Sequence, residues 1–249
     1  MSTGASVDHL FCDTRLAALY DLFCEGRNDF NFYLSWVMSA KSVLDVGCGT
    51  GALLHRAREA GHNGRLCGID PALGMLEQAR RRSDIEWIHG NLASARWTKE
   101  FDLVVMTGHA FQVLVEEDDV RTALTAIRSA LSNDGRFVFE TRNPLVREWE
   151  RWTAADAAEV TDSDGTVVWL SRRVHAPVVG DRISFTHTFT STSWEKPQYS
   201  QSTLRFLDAG TLLAFLSDSG LMIDKQFGDW NGQPLTATSP EIITVAGRA

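Results

Sequence analysis

Hydrophobic positions between residues 41 and 140 follow two different spacings along the chain. Short apolar runs, such as FDLVVM at 101–106, predict buried β-strands. Between these runs apolar residues recur every three or four positions, as Val120, Leu124 and Ile127 do, which predicts amphipathic helices. The two kinds of segment alternate about five times, and this favours an α/β fold with a parallel sheet covered on both faces.

The segments on either side of this region follow other patterns. Residues 14–24 and about 29–39 carry helical spacing ahead of the first strand. After residue 150 the chain becomes rich in Val, Thr, Ser, Phe and Trp, which predicts three antiparallel strands. A short helix capped by Asp208 and two last strands follow. The predicted division is a helical cap at 1–40, an αβ core at 41–150, an antiparallel β insertion at 155–206, and a last helix with two strands at 207–249.

Composition and charge narrow the range of partners. The chain has 249 residues, of which 44% are hydrophobic, and a formal net charge of −8. A nucleic-acid binder usually shows a basic excess, so no nucleic-acid partner is predicted. The N-terminus has no cationic start followed by an apolar run, and no stretch reaches the roughly 18 apolar residues of a membrane span. Four scattered cysteines without a CxxC pair predict no metal site and a cytoplasmic protein.

A glycine-rich loop follows the first core strand in the stretch VLDVGCGTG at 43–51. Gly47, Gly49 and Ala52 satisfy the dinucleotide-binding pattern GxGxx(G/A), and Asp70 ends the next strand, where a ribose-binding acid is expected. A nicotinamide-dependent oxidoreductase is therefore one candidate.

Asp45 favours a different cofactor. It stands two residues before the first glycine, at the strand end that faces the ligand crevice of open α/β sheets. A carboxylate there would repel a pyrophosphate, at a cost of roughly 1–4 kcal/mol. S-adenosylmethionine has no phosphate, carries an ammonium and a sulfonium, and has ribose hydroxyls that suit Asp70. The two acids therefore favour this cationic cofactor.

Taken together, the motifs resemble those of the class I S-adenosylmethionine-dependent methyltransferases. VLDVGCGTG looks like the first motif of that family, GIDPALGMLEQAR like the second, IHGNLASARW like the third and FDLVVMTGHAFQVL like the fourth. GRFVFETRNP resembles the region of the fifth strand, so the resemblance spans about residues 41–143. It implies a Rossmann-like seven-stranded methyltransferase sheet ordered 3-2-1-4-5-7-6 with strand 7 antiparallel, and here an antiparallel β insertion after strand 5.

The resemblance also implies a cofactor site. Its predicted members are Asp45, Gly47, Cys48, Gly49, Gly51, Asp70, Pro71, Met75, Asn91, Leu92 and Thr107. Tyr20, Arg27 and Tyr33 are predicted to close over the cofactor, or else to serve in packing and as surface charge. Asn91 departs from the acid that many members carry at this position. Its amide oxygen still accepts hydrogen bonds, but the residue equally suits a turn.

Acceptor chemistry is assigned to residues after strands 4 and 5. His109 is the candidate base or substrate contact, with a bond to cofactor or backbone as its alternative. Phe111, Gln112, Arg142 and Asn143 are the other predicted substrate contacts, and for Arg142 a surface salt bridge is an equal alternative. His187 shares strand parity with Phe185 on the insertion, where it is either a satisfied, half-buried residue or a catalytic one. The insertion is predicted to cover a small acceptor or to form a dimer surface.

These observations predict a methyltransferase that uses S-adenosylmethionine and releases S-adenosylhomocysteine. The predicted acceptor is the nitrogen or oxygen of a small organic molecule, and the protein is expected to be a monomer or a homodimer without a membrane partner. An NAD(P)-dependent oxidoreductase and a non-catalytic S-adenosylmethionine-binding protein remain as alternatives.

Overall fold

The computed structural model describes residues 7–153 and 157–249. Three helices precede the first strand: α1 (His9–Cys12), α2 (Thr14–Phe23) and α3 (Asp29–Ser39). The carboxylate of Asp13 accepts from the amide of Leu16 at 2.9 Å and so caps α2. Two of these helices match the predicted segments, whereas α1 is a single turn that the sequence pattern did not reveal.

The αβ core alternates strands and helices as predicted. Its strands are β1 (Ser42–Val46), β2 (Arg65–Asp70), β3 (Glu86–His89), β4 (Phe101–Met106) and β5 (Leu131–Arg142). The helices between them are α4 (Ala52–Glu59), α5 (Leu73–Ala79) and α6 (Glu117–Ala130). The strands from β1 to β5 pair in parallel wherever they are neighbours.

The insertion forms a separate antiparallel sheet. Its strands are β6 (Ala158–Thr161), β7 (Val167–Val174), β8 (Arg182–Thr190) and β9 (Gln198–Arg205), and they pair in chain order. Three of the four were predicted. The short strand β6 was missed because AEVT is mostly exposed and has no run of alternating apolar positions.

The chain ends with α7 (Ala209–Asp218), β10 (Leu221–Phe227) and β11 (Glu241–Arg248). The main sheet is ordered β3-β2-β1-β4-β5-β11-β10, and β11 is antiparallel to both of its neighbours. The predicted order 3-2-1-4-5-7-6 is therefore confirmed. Because β11 runs against β5, its first residues lie at the edge where the parallel strands end, and Glu241 pairs with Arg142 there.

Alternate residues of the main sheet bury opposite faces, as strand geometry requires. One face packs against α6 and α7. The buried cluster between them contains Leu44, Val104, Phe137 and Phe139 of the sheet and Ile127 and Leu212 of the helices. The other face packs against α3 and α4. The buried cluster between them contains Val43, Leu103 and Val138 of the sheet and Tyr33, Val37 and Leu53 of the helices. The edge formed by the carboxyl ends of the strands is thus held by packing on both sides. The four-segment division of the chain itself stays a prediction.

Helix α7 offers a local test of stability. The side chain of Asp208 accepts from the amide of Thr211 at 2.9 Å and from its hydroxyl at 2.7 Å. Asp208→Ala removes this cap and is expected to lower the free energy of unfolding by about 1 kcal/mol, measured by urea denaturation. Asp208→Ser, which keeps a capping oxygen, should retain most of it. Equal losses in the two variants would contradict the role of the cap.

Candidate active site

The glycine loop turns tightly after β1. Gly47, Gly49 and Gly51 all have positive φ angles, of 70°, 55° and 76°. A side chain at Gly51 would also collide with the ring of Trp87, so both backbone conformation and space require glycine there. The amide of Gly47 donates to the carbonyl of Ile69 at 2.8 Å, which ties the loop to the end of β2.

Asp70 joins the glycine loop to the start of α5. One carboxylate oxygen accepts from the amide of Gly49 and the other from the amide of Ala72, each at 2.8 Å. Burial raises the pKa of Asp70, and the two amide donors oppose that rise. The predicted neighbours Pro71 and Met75 follow directly, with Met75 buried in α5. Asp70 therefore fixes two of the segments that were predicted to surround the cofactor.

Asp45 is a buried carboxylate with an unused oxygen. Its exposed fraction is 1%, and its Oδ1 has no hydrogen-bond partner among the described residues. Burial raises the pKa of Asp45 to about 7, although the positive charge of Arg27 acts in the opposite direction. Leaving a buried acceptor unsatisfied costs about 1–3 kcal/mol. A cationic ligand at the loop would satisfy this oxygen, so the residues present fit the predicted sulfonium cofactor.

Arg27 links the N-terminal segment to the loop after β4. Its Nε donates to Asp29 at 3.0 Å, and its guanidinium lies 4.3 Å from the ring centroid of Phe30. A Cβ at Gly108 would lie only 3.1 Å from Nη2 of Arg27, so glycine permits the close approach. Arg27 and Tyr20 both line the cavity between the αβ core and the insertion sheet, and their closure over the cofactor stays a prediction.

A cavity of about 530 Å³ lies between the αβ core, the N-terminal helices and the insertion sheet. Its polar wall includes His109, Glu241, Arg142, Arg172 and Asp29. Its apolar wall is largely aromatic and comprises Phe11, Tyr20, Phe23, Leu170, Phe185, Phe189, Leu204, Trp152 and Trp230. The volume suits a small organic molecule.

His109 and Glu241 form a pair on the wall of this cavity. The Nε2 of His109 lies 3.1 and 3.2 Å from the two carboxyl oxygens of Glu241, 132 residues away in the chain. Burial lowers the pKa of His109 to about 3, and burial raises the pKa of Glu241 to about 8. Burial therefore favours the neutral form of both side chains, and the carboxyl proton of Glu241 is lost as the pH rises through about 8.

Glu140 holds the backbone of His109 in place. Its Oε1 accepts from the amide of His109 at 2.6 Å, and its Oε2 accepts from the hydroxyl of Tyr33. His109 has a φ of 63°, a left-handed conformation that costs energy for a residue with a side chain. Tyr33 is fully buried behind the cavity, and its predicted contact with a cofactor stays a prediction.

Several predicted acceptor contacts lie away from the cavity. Phe111 is buried in the main core beside Phe139, with ring centroids 4.6 Å apart. The amide group of Gln112 donates to the carbonyl of Arg205 at 3.0 Å, and its oxygen accepts from Arg142. Asn143 is buried and donates to the carbonyl of Ser239 at 2.9 Å. These three residues shape the surrounding loops, and of the set only Arg142 and His109 line the cavity.

The residues predicted to meet the adenine show one departure. The side-chain oxygen of Asn91 accepts from the amides of Ala93 and Ser94 at 3.0 and 3.2 Å, so it stabilises a turn. Leu92 is buried, and Thr107 is half-buried directly after β4. Cys48 is buried within the glycine loop. Their cofactor contacts stay predictions.

The sequence reasoning missed Glu140 and Glu241. Glu140 stands in an otherwise apolar strand, FVFE, and a carboxylate in such a run is a signal of a buried functional group. Glu241 begins a strand directly after Pro240, where an acid is unremarkable. Its position becomes informative only when β11 is known to run antiparallel to β5.

Across residues 7–153 and 157–249 no helix is both long and apolar enough to cross a membrane. Over the same ranges no group of three or more His, Cys, Asp or Glu residues is arranged to hold a metal ion.

Residues 43–135 match a family model described as a methyltransferase domain. Cypemycin N-terminal methyltransferase of Streptomyces sp is 27% identical over 237 residues, which cover 92% of this chain and 94% of that protein.

Solved structures share the fold along nearly the whole chain. An S-adenosylmethionine-dependent methyltransferase from Clostridium acetobutylicum superimposes with a TM-score of 0.75 at 15% identity, covering 94% of this chain and 98% of that one. The sugar N-methyltransferase KedS8 from Streptoalloteichus superimposes with a TM-score of 0.71 at 20% identity, covering 100% and 97%. With the glycine loop, its two acids and the confirmed strand order, these matches give the chain a methyltransferase domain at residues 43–135 and the fold of the S-adenosylmethionine-dependent methyltransferases.

Proposed function

We propose that this enzyme methylates the nitrogen of a small organic amine bound in the 530 Å³ cavity. The observation that carries the proposal is the His109–Glu241 pair, which is buried and lines that cavity. Glu140 lies directly behind His109, and its carboxyl group places a second acid beneath the same wall. Such a wall favours a ligand that carries an ammonium group or can share a proton.

The cofactor end of the site is proposed to lie at the glycine loop. Asp70 would accept from the ribose hydroxyls, while the unused oxygen of Asp45 would face positive charge. Arg27 and Tyr20 would close the site from the N-terminal segment. S-adenosylmethionine, when bound, supplies an electrophilic methyl group on a sulfonium.

The His109–Glu241 pair is proposed to remove the proton from the acceptor. An amine that binds as an ammonium must lose a proton before its lone pair is free. Glu241, with its pKa raised to about 8, is matched to that transfer near neutral pH, and His109 holds its carboxyl group by a hydrogen bond. The remaining task of the protein is to orient the acceptor and exclude water, which the aromatic wall does.

Two relatives that match nearly the full chain support nitrogen as the acceptor. The relative that matches almost the full chain is named for methylation of an N-terminus, and KedS8 is named as a sugar N-methyltransferase. These names describe the acceptors of those two proteins. From them we infer only that nitrogen is the atom methylated here, and not which molecule carries it.

We further propose that the acceptor is free in the cytoplasm and is not part of a nucleic acid or membrane. The formal net charge of −8 gives no basic excess for phosphate binding. The cavity is also bordered by three parts of the chain, and its volume suits a small molecule. A monomer and a homodimer both remain compatible with this role.

The choice of nitrogen is tested with matched acceptors. Purified enzyme and S-adenosylmethionine with a labelled methyl group are incubated with 3-phenylpropylamine or 3-phenylpropanol, and with cyclohexylamine or cyclohexanol. We expect transfer to the amine of each pair at a rate at least about tenfold above that of the alcohol, because only the amine can bind as an ammonium and give its proton to the acidic wall. Transfer to the alcohols at equal or higher rates would contradict the proposal.

A further inference from the structure

The face of the insertion sheet that closes the cavity carries a polar pair at its centre. Arg172 on β7 and His187 on β8 are direct cross-strand neighbours, and both line the cavity. The residues around them on the same wall are mainly apolar, namely Leu170, Phe185, Phe189 and Leu204. The methyl transfer to an amine proposed above does not require either of these two side chains.

The hydrogen bond between the two residues fixes the state of His187. The Nε of Arg172 is always a donor, and it lies 3.1 Å from Nε2 of His187, which must therefore accept. Burial, reinforced by the charge of Arg172, lowers the pKa of His187 to about 3. The imidazole is thus neutral, and its one proton sits on Nδ1. His187 presents an N–H donor on that side of the ring.

That donor has no partner among the described residues. The Nδ1 of His187 is buried without a hydrogen bond, and the side chain as a whole is only 8% exposed. The neighbouring rings of Phe185 and Phe189, at centroid distances of 5.1 and 6.1 Å, offer no acceptor oxygen. A buried donor left unpaired costs about 1–3 kcal/mol, and a ligand atom in the cavity would recover that energy.

Positive charge lies beside the donor. The guanidinium of Arg172 is 4.7 Å from the ring centroid of Trp152 and 5.5 Å from that of Phe185, so it lies against aromatic surface on the cavity wall. An arginine and a neutral N–H donor together suit a carboxylate, which accepts several hydrogen bonds at once. The serine of β9 on this wall, Ser202, is already bonded to Asp8 and is not part of the group.

We propose that His187 and Arg172 form a second subsite that binds a carboxylate of the acceptor. This inference rests on the proposed function, because it assumes that the amine of the same molecule is bound by the acidic His109–Glu241 pair. A cavity whose wall holds both an acid pair and a cationic group selects a molecule with both charges. The substrate class is therefore an amino-carboxylate, such as an amino acid or a short peptide-like compound.

The test compares probes that differ in one group. The protein saturated with S-adenosylhomocysteine is titrated calorimetrically with 3-phenylpropionate and with 3-phenylpropanol. The wild type is expected to bind the carboxylate at least about tenfold more tightly. His187→Leu should remove most of that preference and leave the affinity for the alcohol unchanged. His187→Gln keeps an N–H donor and should restore part of the preference.

A matched control separates this effect from damage to the sheet. His175 bonds to Thr186 at 2.8 Å, on the face of β8 opposite to His187, so His175→Leu should keep the wild-type preference. Equal affinities of the wild type for the two probes, or no binding of either, would overturn the subsite. So would an unchanged preference in His187→Leu.

The same samples distinguish the two proposals. If 3-phenylpropylamine is methylated but the carboxylate preference is absent, the subsite fails and nitrogen methylation stands. If the preference is present and responds to His187→Leu, but neither the amines nor phenylalanine are methylated, the subsite stands and the proposed function fails.

Discussion

Asp70→Ala is expected to weaken the binding of S-adenosylhomocysteine by about 100-fold or more. The carboxylate of Asp70 accepts from the amides of Gly49 and Ala72, both at 2.8 Å, and is proposed to bind the ribose as well. Hydrogen bonds to a charged group contribute about 1.5–3 kcal/mol each, and each 1.4 kcal/mol corresponds to a factor of ten in affinity. The substitution thus removes a ligand contact and releases the glycine loop together. Isothermal titration measures the change.

Two further variants show whether the effect belongs to the site. Asp70→Asn keeps one acceptor oxygen and should lose about tenfold in affinity, which is less than the alanine variant loses. Asp84→Ala removes an exposed carboxylate paired with Arg82 and should bind like the wild type. Wild-type affinity in Asp70→Ala would exclude the proposed cofactor position. Thermal melts of all variants check that the fold is retained.

The regular part of the fold was predictable from apolar spacing because long, periodic segments depend on local pattern. The spacing of Val120, Leu124 and Ile127 marked α6, and β4 was marked by a continuous apolar run. By contrast, α1 and β6 are four residues each and have no period to detect. They exist because of tertiary contacts, as when the amide of Leu10 in α1 donates to Ser200 on β9 at 2.9 Å.

The residues of the candidate site also fall into those that local sequence predicts and those that depend on tertiary contacts. Asp45 and Asp70 were predictable because they belong to one local strand–loop–helix unit with a recognisable spacing. The partner of His109 was not, since Glu241 lies 132 residues away and reaches it only through the antiparallel pairing of β11 with β5. Phe111 and Gln112 follow His109 in sequence, but the short 3-10 helix from Ala110 turns both into buried packing. Sequence proximity therefore overstated the number of residues that line the cavity.

Glu241→Gln is expected to lower the rate of methyl transfer by about 100-fold or more, with the affinity for S-adenosylhomocysteine unchanged within about threefold. Glutamine has nearly the same shape but cannot take a proton. His109 alone is a weak base, because burial holds its pKa at about 3. Turnover of 3-phenylpropylamine at saturating concentrations measures the loss. Glu150→Gln, which alters an exposed carboxylate paired with Arg147, should behave like the wild type.

The pH dependence of the rate tests whether Glu241 is the proton acceptor. Burial raises the pKa of Glu241 to about 8, so below that pH the carboxyl group keeps its proton and cannot accept another. The rate of the wild type divided by that of Glu241→Gln should therefore rise about tenfold per pH unit up to about pH 8 and then level off. The ionisation of the acceptor itself is common to both enzymes and cancels in this ratio. A ratio that is flat with pH would assign proton removal to another group, because only a titrating Glu241 produces the rise.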